Sequence, residues 1–303
     1  MNPMHHKSKK PSLFSTAEDT SKRALQFDER DLLGQLTANE GSTLWLGRLT
    51  ITEIEHALEN AGVLAALREQ GLDHFIFKIE PFEEFDQALR LYCRAAHPEN
   101  LIAEARLREV RFEPQTQMPE TFSALHPSML SLEWLLLQNP FAAFSPERPP
   151  LPGQTYPGLG QARRVVQLLM ELCRKRRHAG ILNSPQFFHN AYLYRDYFHF
   201  YDPEREANIL ALYRDLLPLR LSDMSWAIEA GCVSLKETGT RFEWAAAVQI
   251  LPMEATVQNY FSSAWYRRRV EESFDKESFV LDEKNFRAFK QNQTGNGSKL
   301  PTL

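Results

Sequence analysis

The stretch richest in chemistry is Gln154-Thr155-Tyr156-Pro157-Gly158-Leu159-Gly160-Gln161, which leads directly into an amphipathic, helix-forming segment. Two glycines without Cβ atoms leave backbone N–H groups uncovered, and the start of a helix adds a partial positive charge. Together they make a site for phosphate. Glycine and proline also serve an ordinary tight loop, so the pattern gains meaning only from its context. Glu133 lies inside the apolar run MLSLEWLLL. A carboxylate there can take a proton from an amine, directly or through a water, or it can simply alternate outward from a half-exposed strand. His189 and His199, with Asp196 and Asp202 nearby, lack a recognised metal spacing, and no metal is expected. The basic runs Arg174-Lys175-Arg176-Arg177-His178 and Arg267-Arg268-Arg269 suit solvated helix surfaces, the first at a helix C-terminus where cations match the dipole. The chain has no Gly-x-Ser-x-Gly elbow and no P-loop lysine.

The composition bounds what surrounds these residues. The chain has 303 residues, 35 basic against 39 acidic for a net charge of −4, and an apolar share of 43% that includes 20 Phe and 5 Trp. That is enough apolar material for a sizeable core and excludes a disordered chain. The slightly acidic balance argues against a surface built for nucleic acid. Cys93, Cys173 and Cys232 are odd in number and far apart, so neither a disulfide framework nor a zinc knuckle is expected, and a reducing, cytoplasmic setting is. No run approaches the ~18 apolar residues of a membrane span.

The elements that must position the chemistry follow from periodicity and punctuation. Residues 1–40 read as a polar tail or linker. Thr50 and Glu53 have the spacing of a capping box, and Ile51, Ile54 and Leu58 share one face of the helix behind it. Gly62 interrupts, and a second short helix carries Leu64 and Leu67. Residues 74–79 predict a strand ended by Pro81. The spacing of Phe82, Phe85, Leu89, Cys93 and Ala96 predicts a helix stopped by Pro98. Alternation from 103 to 108 predicts a strand, a Pro/Gln/Ser-rich loop follows, and 129–137 predicts a central strand. A helix is expected after Gly160, a strand at 179–183, an aromatic helix at 187–197 and a strand at 198–201. Asp202-Pro203-Glu204 starts a further helix, with an acidic cap and proline in the first turn. Another helix covers 222–231, and Val233 to Ala247 suggests a hairpin around Thr238-Gly239. From Glu271 the chain turns polar and is expected to end as a tail. The alternation of strands and helices argues for a layered α/β architecture.

With that order in place, the Gly158-Leu159-Gly160 loop after the 129–137 strand resembles the GNAT superfamily of N-acyltransferases, whose signature is Gln/Arg-x-x-Gly-x-Gly/Ala after the fourth strand. Residues 74–96 resemble the family's opening strand and first helix, and Asn190 to Phe200 its late helix, so the likeness spans about 74–202. It implies a mixed central sheet flanked by helices, with a GNAT-like core over 41–202 and an additional C-terminal α+β region of helices and a hairpin over 203–270. It also implies acetyl-CoA or another acyl-CoA as co-substrate and an amine-bearing acceptor. The pyrophosphate is expected at Gly158, Leu159, Gly160 and Gln161, the pantetheine along Leu136, Leu137 and Gln138, and Asn190 beside the cofactor. Glu133 is the expected base and Tyr194 the expected proton donor to the departing thiolate. The 174–178 cations become candidates for the adenosine 3′-phosphate. The chain departs from the signature: Gln154 lies four residues before Gly158 instead of three, Pro157 removes a donor, and Phe198-His199-Phe200 replaces Gly-Phe. A non-catalytic module that keeps the fold for ligand or protein binding is the alternative.

Overall fold

The computed structural model describes residues 44–83, 86–113 and 126–295; the tail expected over 1–40, Phe85 and most of the loop between the third and fourth strands lie outside them. The described residues form one compact unit. It opens with α1 (Ile51–Asn60) and α2 (Val63–Glu69). The capping box forms as expected: Thr50 Oγ1 accepts from the Glu53 amide at 3.2 Å, and the Thr50 amide donates to Glu53 Oε2 at 2.8 Å. Gly62, at φ 69°, breaks the two helices apart.

The central sheet has seven strands in the order β1-β2-β3-β4-β5-β8-β6. They are β1 (Phe75–Glu83), β2 (Asp86–Cys93), β3 (Leu101–Arg111), β4 (Ser128–Leu137), β5 (Gly180–Asn183), β6 (His199–Phe200) and β8 (Gln249–Pro252). All neighbours are antiparallel except β4 and β5, whose parallel pairing requires a crossover, here α3 (Ala162–Lys175). Two expectations near the start fail together. The segment expected as a helix after Phe82 is the strand β2, because Leu89, Leu91 and Cys93 alternate with Arg90 and Tyr92 across the sheet. Pro81 does not end β1, which continues to Glu83; β1 is the sheet's edge strand, where a proline costs no ladder bond.

Adjacent strand residues point to opposite faces, and the cores follow that rule. Leu107, Leu130, Ile181 and Leu251 pack with Ile54 of α1 and Val166 and Leu169 of α3. Leu91 and Ile102 pack with Val63, Leu64 and Leu67 of α2. Met129 and Ile250, one residue along their strands, join a different core with Ala207, Val257, Tyr260 and Tyr266. That core belongs to α5 (Pro203–Leu216), α7 (Ala255–Ser262) and α8 (Ala264–Lys276). A fourth group, around Phe188, Phe200, Leu212 and Met224, joins α4 (Phe188–Leu193) and α6 (Leu221–Glu229) to α9 (Glu283–Gly295).

The C-terminal expectations need correcting. The chain from Glu271 is not a tail over the described residues: α8 runs to Lys276, then come β9 (Phe279–Leu281) and α9. Buried Val270, Phe279 and Phe286 hold these elements. The hairpin expected around Thr238-Gly239 does form in short form: Ser234 bridges Arg241, the Leu235 amide donates to the Thr240 carbonyl and the Phe242 amide to the Val233 carbonyl, both at 2.8 Å, and β7 (Val233–Leu235) also pairs with β9. The 203–270 region, expected as helices and a hairpin packed on the core, also contributes β8 to the central sheet itself, between β5 and β6. Among the described residues no helix is long and apolar enough to cross a membrane.

Candidate functional site

The site begins where β4 and β5 part. Their pairing covers only Leu130–Leu132 against Ile181–Asn183. Beyond Leu132 no described strand lies along that side of β4. Arg106 faces Trp134 and Leu107 faces Leu132, so Glu133 is the extra residue of a β-bulge, placed where the strands diverge. Its side chain is exposed. On the other side, the Gln138 amide donates to the Ile102 carbonyl at 2.9 Å. The alternation of an antiparallel ladder therefore turns the N–H and C=O groups of Leu135 and Leu137 toward the unpaired edge.

That edge runs into the glycine loop. The Asn139 amide donates to the Pro157 carbonyl at 2.7 Å, which fastens the loop to the end of β4. A Cβ on Gly158 would lie 3.7 Å from the Leu137 carbonyl oxygen, so loop and strand edge are adjacent. Leu159 is an anchor: its side chain is buried against α2, and its carbonyl accepts from Gln70 Nε2 at 3.1 Å. Gly160 adopts φ +71°. Gln161 begins α3 without a side-chain cap bond; its amide is buried, with Nε2 on the Leu159 carbonyl and Oε1 accepting from Arg164 at 2.6 Å.

The first turn of α3 holds no acid; Arg163 and Arg164 occupy it, both exposed. Cations there oppose the helix dipole, so the arrangement is unfavourable unless an anion offsets it. Arg148 adds a third guanidinium, with Nη2 3.6 Å from where a Cβ on Gly160 would sit. Loop, uncapped amides and arginines together form a cationic concentration at the end of an open strand edge.

Tyr194 ends α4 and packs against the core that contains Leu130, Leu132 and Ile181. Burial raises the pKa of its hydroxyl, so it stays protonated near neutrality and can donate. Asn190 is half-buried, its backbone amide bonded to Phe187. The fold thus brings Leu136, Leu137, Gln138, Gly158, Gly160 and Gln161 together, with Glu133 on the same strand and Tyr194 against the core that includes β4 and β5 residues. Among the described residues no hydrogen bond joins Asn190 to that group. Gln154, whose place in the signature is shifted, turns inward, and its Oε1 accepts from the Leu151 amide at 3.1 Å. Sequence reasoning missed Arg148, which lies outside the motif, and the bulge at Glu133, which no local pattern announces. Among the described residues no group of three or more His, Cys, Asp or Glu side chains is placed to hold a metal ion.

No protein-family model matches this chain, and no curated protein or solved structure matches it significantly.

Proposed function

We propose that the protein transfers an acyl group from acyl-CoA to an amine, in the manner of the GNAT superfamily its sequence resembles. One observation carries the reading: an open β4 edge runs from the Glu133 bulge to a glycine loop and an arginine-flanked helix start. The amide-bearing pantetheine needs extended backbone to pair with, and the outward groups of Leu135 and Leu137 supply it. The pyrophosphate needs N–H donors and positive charge, which the Gly158–Gly160 loop, the first turn of α3, Arg148 and Arg163 supply. The thioester then lies toward Glu133. The acceptor amine attacks the thioester carbonyl, and Glu133 takes its proton directly or through a water. Collapse expels the CoA thiolate, to which Tyr194 donates its proton.

The internal use of Gln154 and of the Pro157 carbonyl leaves the loop fewer groups for a ligand, and this favours the second reading, a module that binds without turnover. Turnover decides between them. Acetyl-CoA consumption against a panel of amines should fall by about 100-fold or more in Glu133→Gln, with melting temperature unchanged because the side chain is exposed. An equal rate in that variant removes Glu133 from the mechanism. No turnover with any amine, with CoA binding intact, makes the module the better reading.

A further inference from the structure

At the opposite end of β4 from the Glu133 bulge, three side chains from distant parts of the chain meet in an arrangement that the acyl-CoA reading does not use. Ser128 is the first residue of β4 and is exposed; its Oγ lies 2.9 Å from His178 Nδ1. The other ring nitrogen, Nε2, is buried and lies 3.3 Å from Glu109 Oε1 on β3, within ion-pair reach but without hydrogen-bond alignment. His178 itself is only 5% exposed.

The fold fixes this trio tightly. Arg177 adopts φ 57° just after α3 and turns the chain back on the helix. The His178 amide then donates to the Cys173 carbonyl at 3.0 Å, and the next amide, Ala179, donates to the Ser128 carbonyl at 2.8 Å. The backbone bond that opens the β4–β5 region therefore also sets the serine against the imidazole. Glu109 is held by Arg176, whose Nε lies 2.8 Å from Oε1. Burial pushes the Glu109 pKa up, but Arg176 and His178 outweigh it and the net shift is downward, so the carboxylate is ionised near neutrality.

The Glu109 charge 3.3 Å from Nε2 favours the hydrogen on that nitrogen electrostatically, without an aligned bond, and leaves the Nδ1 lone pair to accept from the serine hydroxyl. These are the roles of a nucleophile, a base and an orienting acid, with the two ring nitrogens exchanged relative to the serine-hydrolase arrangement. The chemistry asks only for a base lone pair on the hydroxyl and a carboxylate on the far nitrogen. Arg111 is exposed and directly across the β3–β4 ladder from Ser128, so it shares the serine's face of the sheet. At ~3.3 Å per residue along β4, this trio is about 16 Å from Glu133.

We infer that Ser128, His178 and Glu109 form a second nucleophilic centre that attacks activated carboxylic esters, with Arg111 favouring those that carry an anionic group. Ser128 Oγ bonds to the ester carbonyl carbon while its proton passes to His178 Nδ1. The carbonyl electron pair moves to oxygen, and on collapse the alkoxide leaves with the proton from His178. Acyl-Ser128 remains, and water hydrolyses it by the same proton route, returning the hydroxyl and releasing the acid.

The test is covalent labelling of the full chain with a fluorophosphonate probe, read by peptide mass spectrometry, alongside p-nitrophenyl acetate hydrolysis. The expected result is an adduct on Ser128, absent in Ser128→Ala, that forms about 100-fold more slowly in His178→Gln. Because His178 is buried, Glu109→Gln gives a second reading if His178→Gln fails to fold, and its labelling should slow at least tenfold. The inference is overturned if Ser128 is not labelled in the wild-type protein, or if labelling proceeds at the wild-type rate in whichever of these variants remains folded.

Discussion

Replacing Arg163 by Glu sets helix and site against each other. Arg163 lies in the first turn of α3, exposed, on a helix with neither an acid nor a side-chain cap at its start. A cation at that end is repelled by the dipole and an anion attracted, each by roughly 0.3–1 kcal/mol, with exposed side chains at the lower end. Exchanging one for the other removes the first term and adds the second, a gain of about 0.5–1 kcal/mol. At roughly 2–4 °C per kcal/mol for a domain of this size, the ligand-free variant should melt about 1–4 °C higher. The gain should shrink in high salt. If Arg163 faces the pyrophosphate, the same change loses a charge-assisted bond of about 1.5–3 kcal/mol. The CoA dissociation constant then rises about 10–100-fold. Arg164 is the poorer choice, because its guanidinium holds Gln161. Thermal melting without ligand and calorimetric titration with CoA measure the two halves. A variant that melts lower, or that binds CoA as tightly as the wild type, refutes the assignment of this helix start to an anion.

Two further outcomes are expected. Burial lowers the His189 pKa from 6.5 to about 4, and its Nδ1 has no hydrogen-bond partner in the folded chain. The unfolded chain takes up a proton that the native state refuses, so this residue removes stability as pH falls from about 6.5 to about 4, by about 3 kcal/mol in all. Urea midpoints at pH 7 and 4.5 should converge in His189→Phe relative to wild type; an unaltered pH slope contradicts this. Cys93, Cys173 and Cys232 are all buried, and burial pushes the Cys173 thiol up to about 11. Ellman's reagent should therefore find almost no reactive thiol in the native protein at pH 8 and all three in guanidinium, and fast native reaction would place a cysteine at the surface.

Local rules read locally determined elements well. The Thr50–Glu53 box, the Asp202-Pro203 start of α5 and the apolar run of β4 all formed as their residues dictate. The misreadings arose where partners are distant. Phe82, Phe85, Leu89 and Cys93 fit a helical spacing, yet pairing with β1 and β3 selects the alternating Leu89, Leu91 and Cys93 instead. The four residues of β8 are too few for a periodic signal, and their place between β5 and β6 is set by segments far back in the chain. α9 looks polar because Phe286 is its principal buried anchor, with Phe289 beside it. At the site, Gly160 was legible because its φ of +71° selects glycine. The bulge was not, because it exists only in the register between β3 and β4. Ser128, His178 and Glu109 were invisible for the same reason: β3, β4 and the turn after α3 bring them together.

The most direct test of acyl-CoA binding is amide hydrogen exchange, followed by mass spectrometry with and without saturating acetyl-CoA. Leu135 and Leu137 present amides on an edge with no described partner strand, and the first turn of α3 has no side-chain cap. Acetyl-CoA should slow exchange in peptides covering 133–138 and 157–164 together, and leave the β7–β9 sheet unchanged. Unaltered exchange in both peptides at millimolar ligand would contradict the proposal that this edge and loop hold the co-substrate.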